Sequence, residues 1–499
     1  MSSFGRWTKL LVLGALCMAP ALAAQDNRVG ELQSELARLR AEVDAMKVVE
    51  RQGGDEEPAL ATKLSKARLF SWATEDGNFA LTMGTWVQFR LTYNDERAQD
   101  AEGPSDANSV RASNGRDFWN FRVTRAKTFF RGNIFGKEWK YFVLFHWTAG
   151  GSDLFEEGFL TWAKYKEINV NVGQTKIPFN YEFLTGYNKQ QMVEGSVVSE
   201  TFNQGWGKGL WLSGVIGGDT PWVKYWVGVF NGALRANNDF RNQDRAVNAD
   251  TFSQTVDADL MPVLRVETHP LGEVADDMVD MRGEDTYNKV LFSVGFAFNW
   301  LTSRFSNAAL RPTSSSPGSG RSNTGQDTVA ITLDGHFRWH GLSVNVAWYY
   351  RKTEFHNFGP LEGNGVTANR AFPGDLTDCG WTFEVGYMIL PRQFDVGFRF
   401  GMFDADEFWL AGASTRRNAL RPDSTELGLA VGYYIGGHNL KAQLDFTYIT
   451  YQLAVGAGTL PANAPHGQPM PTRSPGSIAA DQSDYWNVWQ LRIQIQWMF

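Results

Sequence analysis

The 499-residue sequence predicts an all-β fold: a transmembrane antiparallel β-barrel of about 16 strands, preceded by an N-terminal signal peptide and a short coiled-coil helix. Three observations carry this expectation. Segments that alternate apolar and polar residues with period two recur from Asn78 to Phe499. The connections between them alternate between short joints and long polar stretches, as in outer-membrane barrels. Finally, Gly (50 residues) and aromatics (35 Phe, 19 Trp, 15 Tyr) are abundant, while Cys (2) is too scarce for a disulfide framework. The same apolar load excludes disorder for most of the chain. Beyond residue 24 no apolar run approaches about 18 residues, which excludes a helical membrane bundle. The formal net charge of −7 argues against nucleic acid as a partner.

Residues 1–24 read as the signal peptide. Arg6 and Lys9 precede the apolar stretch Leu10–Ala19, and Ala21-Leu22-Ala23 supplies a small-residue cleavage site. Leu16 before Cys17 disfavours a lipoprotein. Cleavage there takes the net charge from −7 to −9 and leaves Cys379 as the single thiol, which suits export. Residues 25–51 carry a heptad seam: Val29, Leu36 and Val43 at a, Leu32, Leu39 and Met46 at d. Glu35 and Glu42 fall at g, Arg40 and Lys47 at e, a pattern that favours parallel self-association. Residues 52–77 form a linker, and 78–499 the barrel domain.

The last segment shows the alternation most plainly. Trp489, Leu491, Ile493, Ile495, Trp497 and Phe499 share one face; Gln490, Arg492, Gln494 and Gln496 share the other. Upstream, Phe89 and Leu91 oppose Gln88 and Arg90, Phe337 and Trp339 oppose His336 and Arg338, and Phe398 and Phe400 oppose Arg399. Short joints fall at Phe135-Gly136-Lys137, Lys166-Glu167, His340-Gly341, Leu390-Pro391-Arg392 and Gly436-Gly437-His438. Long polar stretches occupy 94–117, 231–257, 302–326, 355–376, 404–422 and 452–483. The connection at 269–287 is long for a turn and fits neither class. Trp119, Trp139, Trp300, Trp339 and Trp497 at strand ends suit a lipid interface better than a soluble sandwich, and no blade repeat suggests a propeller.

A barrel of this size encloses water, so passive diffusion of small hydrophilic solutes is the expected function. The segment Pro178–Gly207 is long enough to fold into the lumen as a constriction loop (178–207), the alternative being an ordinary surface loop. The second strand is rich in cations, with Arg122, Arg125, Lys127 and Arg131, and cationic rings favour anions. Arg122 and Arg125 have opposite parity on a regular strand, and a β-bulge would turn both inward. Facing lipid at mid-depth, an Arg costs about 2–4 kcal/mol. Pore-lining candidates are thus Arg125, Arg122, Lys127, Arg90, Glu156, Arg338, Arg399 and Arg492.

The stretch from Phe118 to about Gly214 resembles the phosphate-selective porin O/P family. The matching pieces are Phe121 to Ala126, Trp139-Lys140-Tyr141, Phe155-Glu156-Glu157, and Gly173-Gln174-Thr175-Lys176-Ile177-Pro178-Phe179, with Gln88 after Gly84 in the first strand. The resemblance implies an outer-membrane homotrimer of sixteen-stranded barrels that takes up phosphate or other inorganic anions through arginine-lined pores. Arg125 stands at the family's second paired arginine and Glu156 at its acidic constriction residue. Thr124 replaces the first paired arginine, and Trp86 stands where an inward arginine is usual, so a non-selective general porin is the alternative. Among other classes, a barrel hydrolase needs a Ser–His pair, and none of His146, His269, His336, His340, His356, His438 and His466 lies beside a nucleophile motif. A structural tether through the coiled coil is the remaining rival. No catalytic residue, metal ligand or cofactor is expected.

Overall fold

A computed structural model describes residues 63–64, 70–99, 116–148, 154–218, 220–231, 260–303, 325–356, 376–404, 423–452 and 485–499. The signal peptide and the coiled coil expected from the sequence lie outside the described residues.

Sixteen antiparallel strands close on themselves. They are β1 (Ala80–Gln99), β2 (Arg116–Asn133), β3 (Trp139–His146), β4 (Phe155–Tyr165), β5 (Ile168–Lys176), β6 (Trp206–Ile216), β7 (Val223–Asn231) and β8 (Leu260–Thr268). The second half comprises β9 (Leu291–Ser303), β10 (Gly325–Trp339), β11 (Leu342–His356), β12 (Leu376–Leu390), β13 (Phe394–Asp404), β14 (Asp423–Tyr434), β15 (Leu440–Gln452) and β16 (Tyr485–Met498). Each pairs with its sequence neighbours, and β16 pairs with β1 from Met498↔Trp86 to Tyr485↔Gln99. The seam is locked at its end: Thr85 and Phe499 exchange both backbone hydrogen bonds, at 2.8 and 2.9 Å. A short strand, Phe70–Ala73, hairpins into β1 and occupies the edge beyond the end of β16.

The register explains why the alternation is legible. Outward side chains such as Phe292, Val294, Phe296, Leu429, Ile493 and Ile495 are exposed, and so are all five tryptophans expected at the lipid interface. Apolar side chains around the outer wall of a closed ring of strands are stable only in hydrocarbon. The barrel is therefore transmembrane, and its place is the bacterial outer membrane. Short-turn joints reverse the chain with left-handed residues: Phe135 (φ 57°), His340 (φ 53°) followed by Gly341 (φ 84°), and Arg392 (φ 63°).

Inside, the lumen is occupied. The connection between β5 and β6 turns into the barrel and carries two short helices, α1 (Tyr181–Leu184) and α2 (Val197–Phe202). Phe179, Val198 and Phe202 pack against Ala297, Ala330, Tyr349 and Phe403 of the wall. A second cluster joins Ile177 to Trp211, Phe230, Met261, Val263 and Leu301. Here the expected rule of polar residues inward fails. The root of the inserted segment covers this sector, so apolar side chains gain by facing it. The connection between β8 and β9, which fitted neither loop class in the sequence, also enters the lumen. It ends in helix α3 (Glu284–Tyr287), and its Val279 packs on Met388 and Tyr434.

Candidate functional site

The cations of β2 reach the lumen through a bulge. Gln88 pairs with Arg125, Phe89 with Val123 and Arg90 with Arg122, leaving Thr124 unmatched. The extra residue resets the parity, so Arg122 and Arg125 share the face of Gln88 and Arg90. A second bulge, between Leu144 and Phe145 of β3, leaves Glu156 of β4 unmatched beside Glu157, and both carboxylates are buried. Lys127 bonds Glu156 at 2.7 Å, and Trp206 donates to Glu157 at 3.2 Å.

Against this wall stands a residue the sequence reading missed. Glu194, in the inserted segment, pairs with Arg90 Nη1 and Arg125 Nη2, each at 2.6 Å. The ring of Tyr187 lies 3.7 Å beneath the Arg125 guanidinium. Burial alone would raise the Glu194 carboxyl; the Arg125 and Arg90 guanidiniums outweigh it and hold it well below the usual carboxylate range. Arg122, by contrast, is exposed. The site thus sets two guanidiniums against one loop carboxylate, with Arg122, the register partner of Arg90, as an exposed third cation on the same face.

The other candidate residues are also on the inward face, but they meet protein instead of open water. Arg399 pairs with Glu426 and donates to the Glu194 carbonyl at 2.8 Å, with Glu182 and Glu384 within 3.8 and 3.6 Å. Arg492 makes a two-pronged pair with Asp445 at 2.7 and 2.8 Å. Arg338 donates to Asn345 at 2.8 Å. Of the eight pore-lining candidates, Arg90, Arg125, Lys127, Glu156, Arg338, Arg399 and Arg492 are buried, and Arg122 is exposed. The physical reason is the inserted segment. A charge that it covers loses its hydration and must find a partner. Arg265 obeys the same rule: fully buried, it pairs with Asp334 at 2.8 Å and Glu267 at 2.7 Å, and donates to the Phe179 carbonyl at 2.8 Å.

The inserted segment is tied all round the wall. Asp445 accepts from Val193 N at 2.8 Å, Glu426 from Val197 N at 2.7 Å, and Asp395 from Gln191 at 2.6 Å. Lys441 donates to the Gln190 carbonyl at 3.0 Å, and Tyr349 to Asn180 at 2.9 Å. Burial raises the Glu182 carboxyl, although Arg399 and the amide and hydroxyl of Ser196 act against it. His336 bonds Asp334 at 2.9 Å and Asn345 at 3.0 Å and stacks on Tyr181, while His340 sits in a turn; they form no pair. Among the described residues, no group of His, Cys, Asp and Glu side chains could hold a metal ion.

Neither a known protein family nor a curated protein matches the sequence. Solved structures similar to this chain include the outer membrane channel DcaP of Acinetobacter baumannii, at 12% identity, TM-score 0.48, covering 88% of this chain and 100% of that one. An anion-selective porin from Comamonas acidovorans matches at 10% identity, TM-score 0.46, over 84% and 100% of the two chains. OpdQ of Pseudomonas aeruginosa matches at 8% identity, TM-score 0.37, over 84% and 98%. The chain is a closed, sixteen-stranded antiparallel barrel of the bacterial outer membrane.

Proposed function

We propose that the protein is an outer-membrane porin, a channel for passive diffusion of small hydrophilic solutes with a preference for anions, and that it works as a homotrimer. The observation that carries the anion preference is the grouping of Arg90, Arg122 and Arg125 on one lumen face, with Glu194 as the loop counter-charge of Arg90 and Arg125. A cationic cluster in a narrow, low-dielectric passage attracts anions and repels cations. The resemblance to the phosphate-selective porin O/P family points to phosphate or another oxyanion as the natural solute, because guanidinium matches oxyanion geometry. The barrel is read as a conduit and not as an enzyme.

Planar-bilayer recording of the purified protein in a KCl gradient tests this. Discrete conductance steps and a reversal potential on the chloride side are expected. Arg122→Ala should move that potential toward zero. Absence of steps from the wild type and from every folded variant would overturn the porin reading; cation-side reversal would overturn the anion preference alone. Lipid hydrolysis by the pure protein would revive an enzyme.

A further inference from the structure

We propose that residues 269–290 form a plug at the short-turn mouth, which holds the channel in a narrow state and must leave the lumen for full conductance. The inference rests on the porin reading above. The β8–β9 connection spans 269–290, whereas the β10–β11 hairpin on the same side turns through His340-Gly341 alone. Its surplus residues cross the mouth. Glu273 pairs with Lys224 of β7 at 2.6 Å, and Asp277 bonds His438, between β14 and β15, at 2.7 Å. Strands seven places apart in a ring of sixteen are nearly opposite, so the connection runs close to a diameter.

The crossing strand of chain is seated, with Val274, Met278 and Val279 almost fully buried. Val279 rests on Met388 and Tyr434, and Asn345 donates to the Met278 carbonyl at 2.9 Å. It also meets the β5–β6 segment inside the barrel. Tyr181 donates to the Ala275 carbonyl at 3.0 Å, Lys189 to the Asp276 carbonyl at 3.1 Å, and Met278 N to the Lys189 carbonyl at 3.3 Å. Two insertions, one from each mouth, therefore meet inside the lumen. The strand register of the wall does not include this connection: β8 and β9 are paired up to Thr268↔Val294 and part there. Main-chain bonds tie its two ends to the wall, His269 N to the Trp222 carbonyl at 2.8 Å and His340 N to the Tyr287 carbonyl at 3.0 Å, so the part that can leave while the strand registers persist is the crossing stretch 273–282.

Single-channel recording in planar bilayers decides it, using the full chain and three variants whose folding is checked by β-sheet circular dichroism. One replaces 273–282 by Gly-Ser-Gly. The second, Val279→Asp, puts a charge into the apolar seat. The third, Asp277→Asn, keeps the side-chain size and loosens only the His438 contact, so a folded variant is retained even where the larger changes prevent folding. Conductance should rise at least about twofold for the replacement and for Val279→Asp, and less for Asp277→Asn. Folded variants with wild-type conductance would overturn the plug and leave the porin reading standing. A wild type and variants that are all silent would overturn both. A silent or weakly conducting wild type with conducting variants supports both.

Discussion

The charge of Glu194 decides how much of the arginine cluster a solute meets. While it bridges Arg90 and Arg125, two of three guanidiniums are already answered. Glu194→Gln removes that charge and keeps the shape, so anion-over-cation permeability should rise about two- to tenfold, a change worth up to about 1.4 kcal/mol. Reversal potentials of the variant and wild type measure it. The clamp also has a pH signature. Because the carboxyl is held below its ordinary value, its anchoring is complete above the unfolded carboxylate pKa and is lost only as pH falls through the depressed one. The difference in reversal potential between wild type and Glu194→Gln should therefore stay constant from pH 7 to about 4. A difference that collapses by pH 5 would show that the clamp does not hold. Arg122 and Arg125 were legible in the sequence because a cation on an otherwise alternating strand violates its period. A single acid in a nonperiodic connection violates nothing, and Glu194 left no such trace.

At the scale of elements, the inserted segment needs a floor, and glycine provides it. Gly380, Gly386, Gly397, Gly401 and Gly428 lie on the inward face of β12–β14 where the segment packs. A Cβ on Gly380 would stand 2.7 Å from both Phe202 and Val198 of α2. Those atoms belong to a ring and a branched side chain set in a packed cluster, so they cannot fold away. Gly380→Val should push α2 from its seat at a cost of about 1–3 kcal/mol, leaving the barrel ladder intact. The expected readouts are a raised conductance and faster hydrogen exchange over 197–202, with β12 unchanged. The strands themselves could be read from the sequence, since each is one amphipathic unit with its own period. The two insertions could not be read equally. The β5–β6 connection was too long for a turn and lay between recognisable strands. The β8–β9 connection stood out as too long for a turn, but its length does not say where it goes; what buries it is wall chemistry from β7, β11 and β14, which no local window contains. Ile177, at the root of the β5–β6 segment, covers the apolar inward sector of Trp211, Phe230 and Met261, where alternation alone would place water.

For the molecule as a whole, the outer wall and the filled interior compete for the same kinds of residue, and only the solvent on each side sorts them. Leu429, at the middle of β14, is exposed, while Ala430 beside it is buried inside. If the outer surface faces hydrocarbon, the cost of a charge must depend on depth. Leu429→Arg should lower the stability of the bilayer-folded barrel by about 2–4 kcal/mol, and Tyr433→Arg, near the strand end, by about 0–1 kcal/mol plus the modest loss of the ring. Both positions are outward, of comparable exposure and on the same strand, so local sheet propensity cannot separate them. Equilibrium folding into phospholipid vesicles, followed by tryptophan fluorescence, measures the difference. A soluble barrel would show two small, equal costs, because an exposed arginine is at home in water. A gradient that falls from mid-strand to rim is the signature of a hydrocarbon slab, and its absence would remove the membrane from every step that leads to the channel.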